Sequence, residues 1–165
     1  MKAKLIDPLP GSAAQPAQPA RTFAVIFQTG DEVIAGLKGF ARDQNLAGSH
    51  FTAIGAFGGA TLAYFDWRTK QYQTLPISEQ VEALTLAGDI ALKEGKPEVH
   101  AHVVVGLRDG TTRGGHLMEA HVRPTLEVIL TESPVHMQRT FDPESGLALI
   151  DPGAFPDPPP AEEIP

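Results

Sequence analysis

Residues 98–117, EVHAHVVVGLRDGTTRGGHL, constrain the fold of this chain more than any other stretch. Val99 to Leu107 is a run of β-formers, Arg108-Asp109-Gly110 is turn chemistry, and a second run opens at His116, so the segment predicts an antiparallel hairpin. It carries three of the chain's six histidines. Positions two apart on a strand share a face, so His100 and His102 project side by side, a common way to offer two nitrogens to one metal ion. Whether His116 joins them depends on the turn. With Asp109-Gly110 as a two-residue turn, His116 opposes Val103 and points away, unless a bulge intervenes. With Arg108-Asp109-Gly110 as a three-residue loop and Gly110 in the left-handed position, His116 stands opposite His102 and His100 becomes a diagonal neighbour. Gly114-Gly115 adds room beside His116.

Two readings of this pattern stand side by side. Alternating histidines occur on half-exposed strands for packing or hydrogen bonding. As ligands, His100, His102 and His116 would form an open site, with one position left for water or a small molecule, closer to a catalytic zinc than to a structural one. The chain has no cysteine, which excludes disulfides, thiolate catalysis and sulfur-ligated clusters. Glu98 shares the face of His100 and either orients a ligand, acts as a base, or is a plain exposed carboxylate. His50, His121 and His136 have no partners at useful spacing and read as surface or core-edge residues. Ser49-His50 and Ser78-Glu79 lack the context of a nucleophile elbow, and the common nucleotide, dinucleotide and zinc-protease motifs are absent. Trp67, Tyr64, Phe65 and Tyr72 lie around one turn, where they either stack on a ligand or pack a sheet edge.

The rest of the chain extends the β pattern. Phe23 to Gln28, Phe51 to Ala56, Ala60 to Asp66, Tyr72 to Ile77, Val81 to Leu92, His116 to Val122, Leu126 to Leu130 and Val135 to Phe141 read as strands. Gly58-Gly59, Arg68 to Lys70 and Pro76 to Glu79 read as breaks, with Pro124 and Pro134 at strand starts or edges. One helix interrupts the series: Thr29 and Glu32 fit a capping box, and Val33, Ile34, Leu37, Phe40 and Ala41 form one apolar stripe. The expected fold is α+β, mainly an antiparallel sheet with one principal helix packed on it. Ten of the 15 prolines fall in residues 1–20 and 151–165, which read as a Pro/Ala-rich disordered tail and a Pro-rich acidic tail flanking a single domain at 21–150. No apolar run approaches the ~20 residues that span a bilayer, and the first 20 residues lack a secretory h-region, so the expectation is a cytoplasmic protein without membrane contact. Thirteen basic residues against 20 acidic ones leave a net charge of −7, the wrong sign for a chain that neutralises phosphates, so DNA is a poor partner on charge grounds.

The motifs HFTAIGAFGGATLAYFD at 50–66, LTLAGDIAL at 84–92, PEVHAHVVVGLRDGTTRGGHL at 97–117 and TLEVIL at 125–130, with TGDEV at 29–33, resemble the plant and prokaryote conserved (PPC) domain. The likeness spans nearly all of the predicted domain, and the order P-x-x-H-x-H then G-G-H-L is its most specific part. It implies a stand-alone prokaryotic member with an antiparallel sheet, one packed helix and a homotrimeric assembly. It also implies a divalent metal, usually zinc, on His100, His102 and His116. Prokaryotic relatives are often catalogued as DNA-binding, and plant relatives join the domain to R-G-R-P hooks. This chain has no such hook. Two expectations of different class follow: a trimeric metal-binding module with a small-molecule or catalytic role, and a DNA-associated regulatory protein.

Overall fold

The computed structural model of the protein describes residues 20–155. Strand β1 (Arg21–Gln28) leads into the helix α1 (Val33–Asp43), followed by β2 (Gly48–Asp66), β3 (Gln71–Ile77), β4 (Val81–Lys93), β5 (Lys96–Gly106) and β6 (Thr112–Glu132). A short hairpin of β7 (Arg139–Asp142) and β8 (Leu147–Ile150) and a 3₁₀ turn at Pro152–Ala154 complete the described chain. The expected α+β class holds: every strand pairing is antiparallel, and α1 is the one α-helix among the described residues.

The six-stranded sheet runs β1-β6-β5-β4-β2-β3, and β6 pairs again with β2. That extra pairing closes β2, β4, β5 and β6 into a ring, which removes the open edges these strands would otherwise expose. Inside it lie Phe51, Phe57, Leu86, Val103, Val105, Leu117 and Leu126, all nearly solvent-free. The helix covers the same core with Val33, Leu37 and Ala41 buried, and Ile34 and Phe40 packed beside them, as the apolar stripe requires.

Several local expectations are corrected. The break foreseen at Gly58-Gly59 is a register shift within one 19-residue strand, and the two late runs 116–122 and 126–130 are one 21-residue strand. Both strands are long because their halves pair in opposite order: the start of β2 meets the end of β6, and its end meets the start of β6. Pro124, expected at a strand start or edge, lies inside β6. Phe57 faces Val122 and Gly55 faces Leu126, so the intervening residues leave the ladder there and the missing proline N–H costs no pairing bond. At the helix start Glu32, not Thr29, is the cap: its carboxylate accepts from the backbone N–H groups of Ile34 at 3.1 Å and Ala35 at 2.5 Å. Thr29 instead donates its hydroxyl to the Pro124 carbonyl.

The run Val135 to Phe141 is strand only from Arg139. Before it the chain is anchored by Met137, whose N–H donates to the Ala47 carbonyl while its carbonyl accepts from Leu92. Of the two predicted tails, residues 1–19 and 156–165 lie outside the described residues. Residues 151–155 form a packed turn, in which the Asp151 carboxylate accepts from Gly153 N–H and Phe155 is buried beside Ala91 and Met137. No helix among the described residues is long and apolar enough to cross a membrane.

Candidate metal centre

The β5–β6 turn is the three-residue form. Gly110 has φ +82°, its N–H donates to the Leu107 carbonyl, and the Leu107 N–H donates to the Thr111 carbonyl. Asp109 accepts from both the N–H (2.9 Å) and the hydroxyl (2.6 Å) of Thr111, bonds that hold its carboxyl below the usual carboxylate range. A left-handed residue here favours glycine, and the extra loop residue sets the register that follows. His116 consequently sits directly opposite His102, and Val103 opposite Gly115. Gly115 has a second role: a Cβ there would come 2.7 Å from the Ala63 carbonyl oxygen. Only a glycine lets β2 approach closely enough to pair His116 with Ala63.

The three imidazoles converge. Their ring centroids are 5.1–5.3 Å apart, with His100 stacked on His116 and His102 edge-on to both. One ligand-capable nitrogen from each lies within 4.8 Å of the others. Nε2 of His100 and Nε2 of His102 are already 3.2 Å apart, close to the ~3.3–3.4 Å separation of two nitrogens bound tetrahedrally at 2.0–2.1 Å from one zinc ion. Nδ1 of His116 is buried and has no hydrogen-bond partner. A buried polar atom normally has one, so this nitrogen fits a site meant to receive a ligand or ion. Burial, reinforced by the neighbouring His100 and His102, pushes the His116 pKa down to about 4; burial, then His100, lowers that of His102. Both effects favour the neutral imidazole that binds metals. The residues therefore fit a divalent metal.

Around the histidines stand groups that sequence reading places differently. Asp89 on β4 is the register partner of His100, with Oδ2 3.5 Å from its Nδ1. It was not foreseen, although the two-residue turn Glu94-Gly95, with both residues at positive φ, would have located it by counting back from the turn. Arg139 on β7 holds the other oxygen of Asp89 through Nη2 and is itself 7% exposed. No local signal announces it. Tyr72 packs its ring 4.9 Å from that of His116 and 5.2 Å from Phe65, so part of the aromatic group around the β2–β3 turn borders the centre. Trp67 turns outward and carries the Lys70 ammonium over its ring. Glu98 does not face the histidine nitrogens as a free base; it is paired with Lys38 of α1 at 3.2 Å. His50 and His136 are exposed, and His121 pairs with Glu119, so none of the three joins the cluster.

Comparison with known proteins bears on the fold and the family. The solved PPC protein of Pyrococcus horikoshii is 31% identical, with a TM-score of 0.75 over 79% of this chain and 91% of that one. A metal-containing protein of Archaeoglobus fulgidus is likewise 31% identical, with a TM-score of 0.74 over 79% and 92%. A protein of Bacteroides thetaiotaomicron described as a candidate DNA-binding protein is 28% identical, with a TM-score of 0.76 over 79% and 91%. Among curated proteins, the bifunctional protein GlmU of Synechococcus sp. (strain JA-3-3Ab) is 34% identical over 146 residues, 83% of this chain. The chain spans only 22% of that relative's length. The Plants and Prokaryotes Conserved domain matches residues 14–134, which is most of the chain and includes all three clustered histidines. With that match and the shared fold of its solved relatives, the chain belongs to the Plants and Prokaryotes Conserved domain family.

Proposed function

We propose that this protein is a homotrimeric metal-binding module in which His100, His102 and His116 hold one divalent ion, zinc by preference, and present a fourth position to a small molecule. The observation that carries the reading is the convergence of three imidazoles, one ligand-capable nitrogen of each within 4.8 Å of the others, beside a buried Nδ1 of His116 that has no partner. An all-nitrogen donor set suits zinc and other imidazole-binding metals and disfavours magnesium or calcium, which prefer oxygen. When bound, such an ion supplies Lewis acidity and makes its water more acidic. The chain's own residues then bind and orient: Tyr72 forms a wall beside His116, and the two carboxylates near His100, Asp89 and Glu98, are each engaged by a cation. That favours ligand capture over general-base catalysis. That the Archaeoglobus relative is described as a metal-containing protein supports a metal here, without naming which one.

The trimer rests on the outer sheet face. His102, Ala87, Thr52 and Ile129 form one register row across β5, β4, β2 and β6. On that face Ile26 is 57% exposed, Ile54 61% and Ile129 53%. Three isoleucines on one solvent face suit burial against further copies of the chain. Elemental analysis of untagged protein should give about one metal per chain, and light scattering about three times 17.6 kDa; metal-free protein purified without chelator, or a monomer at micromolar concentration, sinks the corresponding half.

The second reading, a DNA-associated regulator, draws on the description of the Bacteroides relative. It requires a basic face assembled from Arg42, Arg68, Lys70, Arg108 and Arg113, against a net charge of −7 per chain. Duplex affinity that weakens steeply with added salt would establish it.

A further inference from the structure

We infer that Asp89 and Arg139 are positioning residues for the histidine centre. In this arrangement the C-terminal hairpin locks the Asp89 carboxylate, and Asp89 fixes the tautomer and ring orientation of His100. The inference rests on the metal-binding reading above and adds a device to it. Arg139 lies beyond residue 134, where the family match ends. It thus belongs to a part of this chain that the family description does not cover.

The geometry divides the carboxylate between two partners. Oδ1 of Asp89 is held by Nη2 of Arg139, while Oδ2 faces Nδ1 of His100 at 3.5 Å. A proton on Nδ1 is attracted to that oxygen, which leaves the Nε2 lone pair free on the side where His102 Nε2 lies 3.2 Å away. An imidazole that presents one nitrogen to an ion and its other N–H to a carboxylate is the usual outer support of a metal-bound histidine. The Arg139 guanidinium is buried, with Nη1 donating to the Ala148 carbonyl at 3.4 Å across the β7–β8 hairpin. A cation taken out of water is costly unless paired, so its place opposite Asp89 is tied to the packing of the hairpin. That hairpin is in turn fastened by Met137 and Phe155 against Ala91, two residues from Asp89 on β4. Loss of the cation would free the carboxylate to turn toward solvent and release the ring of His100.

The test uses the full chain in two arms. In the first, zinc affinity is measured by competition with a chromophoric chelator for wild type, Asp89→Asn, Arg139→Gln, Arg139→Lys and the double variant. Asp89→Asn and Arg139→Gln should each weaken zinc by about 10- to 100-fold, with Arg139→Lys between them and wild type. Arg139→Gln should add nothing in the Asp89→Asn background, because the arginine acts through the carboxylate; additive losses would mark it as a general packing residue and overturn the relay. Glu98→Gln, on the same side but paired with Lys38, should bind zinc as wild type does. In the second arm, long-range ¹⁵N–¹H correlation of the metal-free protein reads the His100 tautomer. Wild type should carry its proton on Nδ1, and Asp89→Asn should show a mixture. Unchanged affinity and an unchanged tautomer in Asp89→Asn overturn the inference. A wild type that ignores zinc while His100 still shows the Asp89-dependent Nδ1 proton overturns the metal reading and leaves the positioning role standing.

Discussion

Strand β6 ends in two polar clusters that obey opposite rules. At its C-terminal end Glu132 is buried, and its carboxylate accepts from Ala47 N–H at 2.9 Å, from Gly48 N–H at 3.2–3.3 Å and from the Ser49 hydroxyl. Those bonds tie the end of β6 to the start of β2. At its N-terminal end His116 also faces β2, yet its buried Nδ1 meets no partner and its neighbours are two more imidazoles. A buried charge surrounded by donors is finished as it stands and serves the fold. A buried nitrogen without a partner, set beside two more imidazoles, marks a cluster that a bound ion or ligand can complete.

The contrast can be broken by experiment, and the largest effect is expected at the histidines. His102→Ala should abolish stoichiometric zinc while the far-ultraviolet circular dichroism stays that of the folded sheet, since His102 is exposed and the core lies on the other face. Zinc retained at full occupancy would show that the cluster is packing. Next in size is Glu132→Ala, which strands the buried donors of Ala47, Gly48 and Ser49. At ~1–3 kcal/mol per unsatisfied buried group, urea unfolding should show a loss of about 3 kcal/mol, with zinc affinity of the folded protein unchanged. A loss of zinc without a loss of stability would invert the two roles.

A smaller effect separates the clusters by pH. The His116 pKa is about 4 in the folded chain and ~6.5 in the unfolded one. Between those values the unfolded state binds the extra proton. The stability of the metal-free protein should therefore be level above pH 6.5 and fall as the pH drops toward 4. His116→Asn should remove that part of the slope; identical pH profiles for the two proteins would contradict the burial of an unpaired imidazole. The smallest expected effect is on duplex DNA. Three chains of net charge −7 carry −21, and a mobility-shift assay at physiological salt should show negligible binding. Tight, salt-sensitive binding would move the functional weight away from the histidines.

Much of the centre was legible because its causes are local. The H-x-H pair shares a face by the two-residue period of a strand, and Gly110 in a three-residue loop sets His116 opposite His102. Asp89 was legible in principle through the Glu94-Gly95 turn, by the same counting. Arg139 was not: it lies 50 residues from Asp89 and reaches it through a hairpin whose docking on β4 no local pattern encodes. The long strands β2 and β6 were read as four, since glycine pairs and prolines look like breaks until a partner absorbs them as bulges.

The sequence by itself determined the fold class, the helix stripe, the hairpin and the shared face of His100 and His102, because periodicity and turn chemistry act over a few residues. Which of two turns placed His116 beside them was settled by the structure. Only the tertiary structure decided the ring closure of β2 with β6, the buried knot at Glu132 and the clasp of Arg139 on Asp89. Each of those joins groups far apart in the chain. Their meeting depends on how whole strands pair and which polar atoms are left without water, and no short window of sequence contains that information.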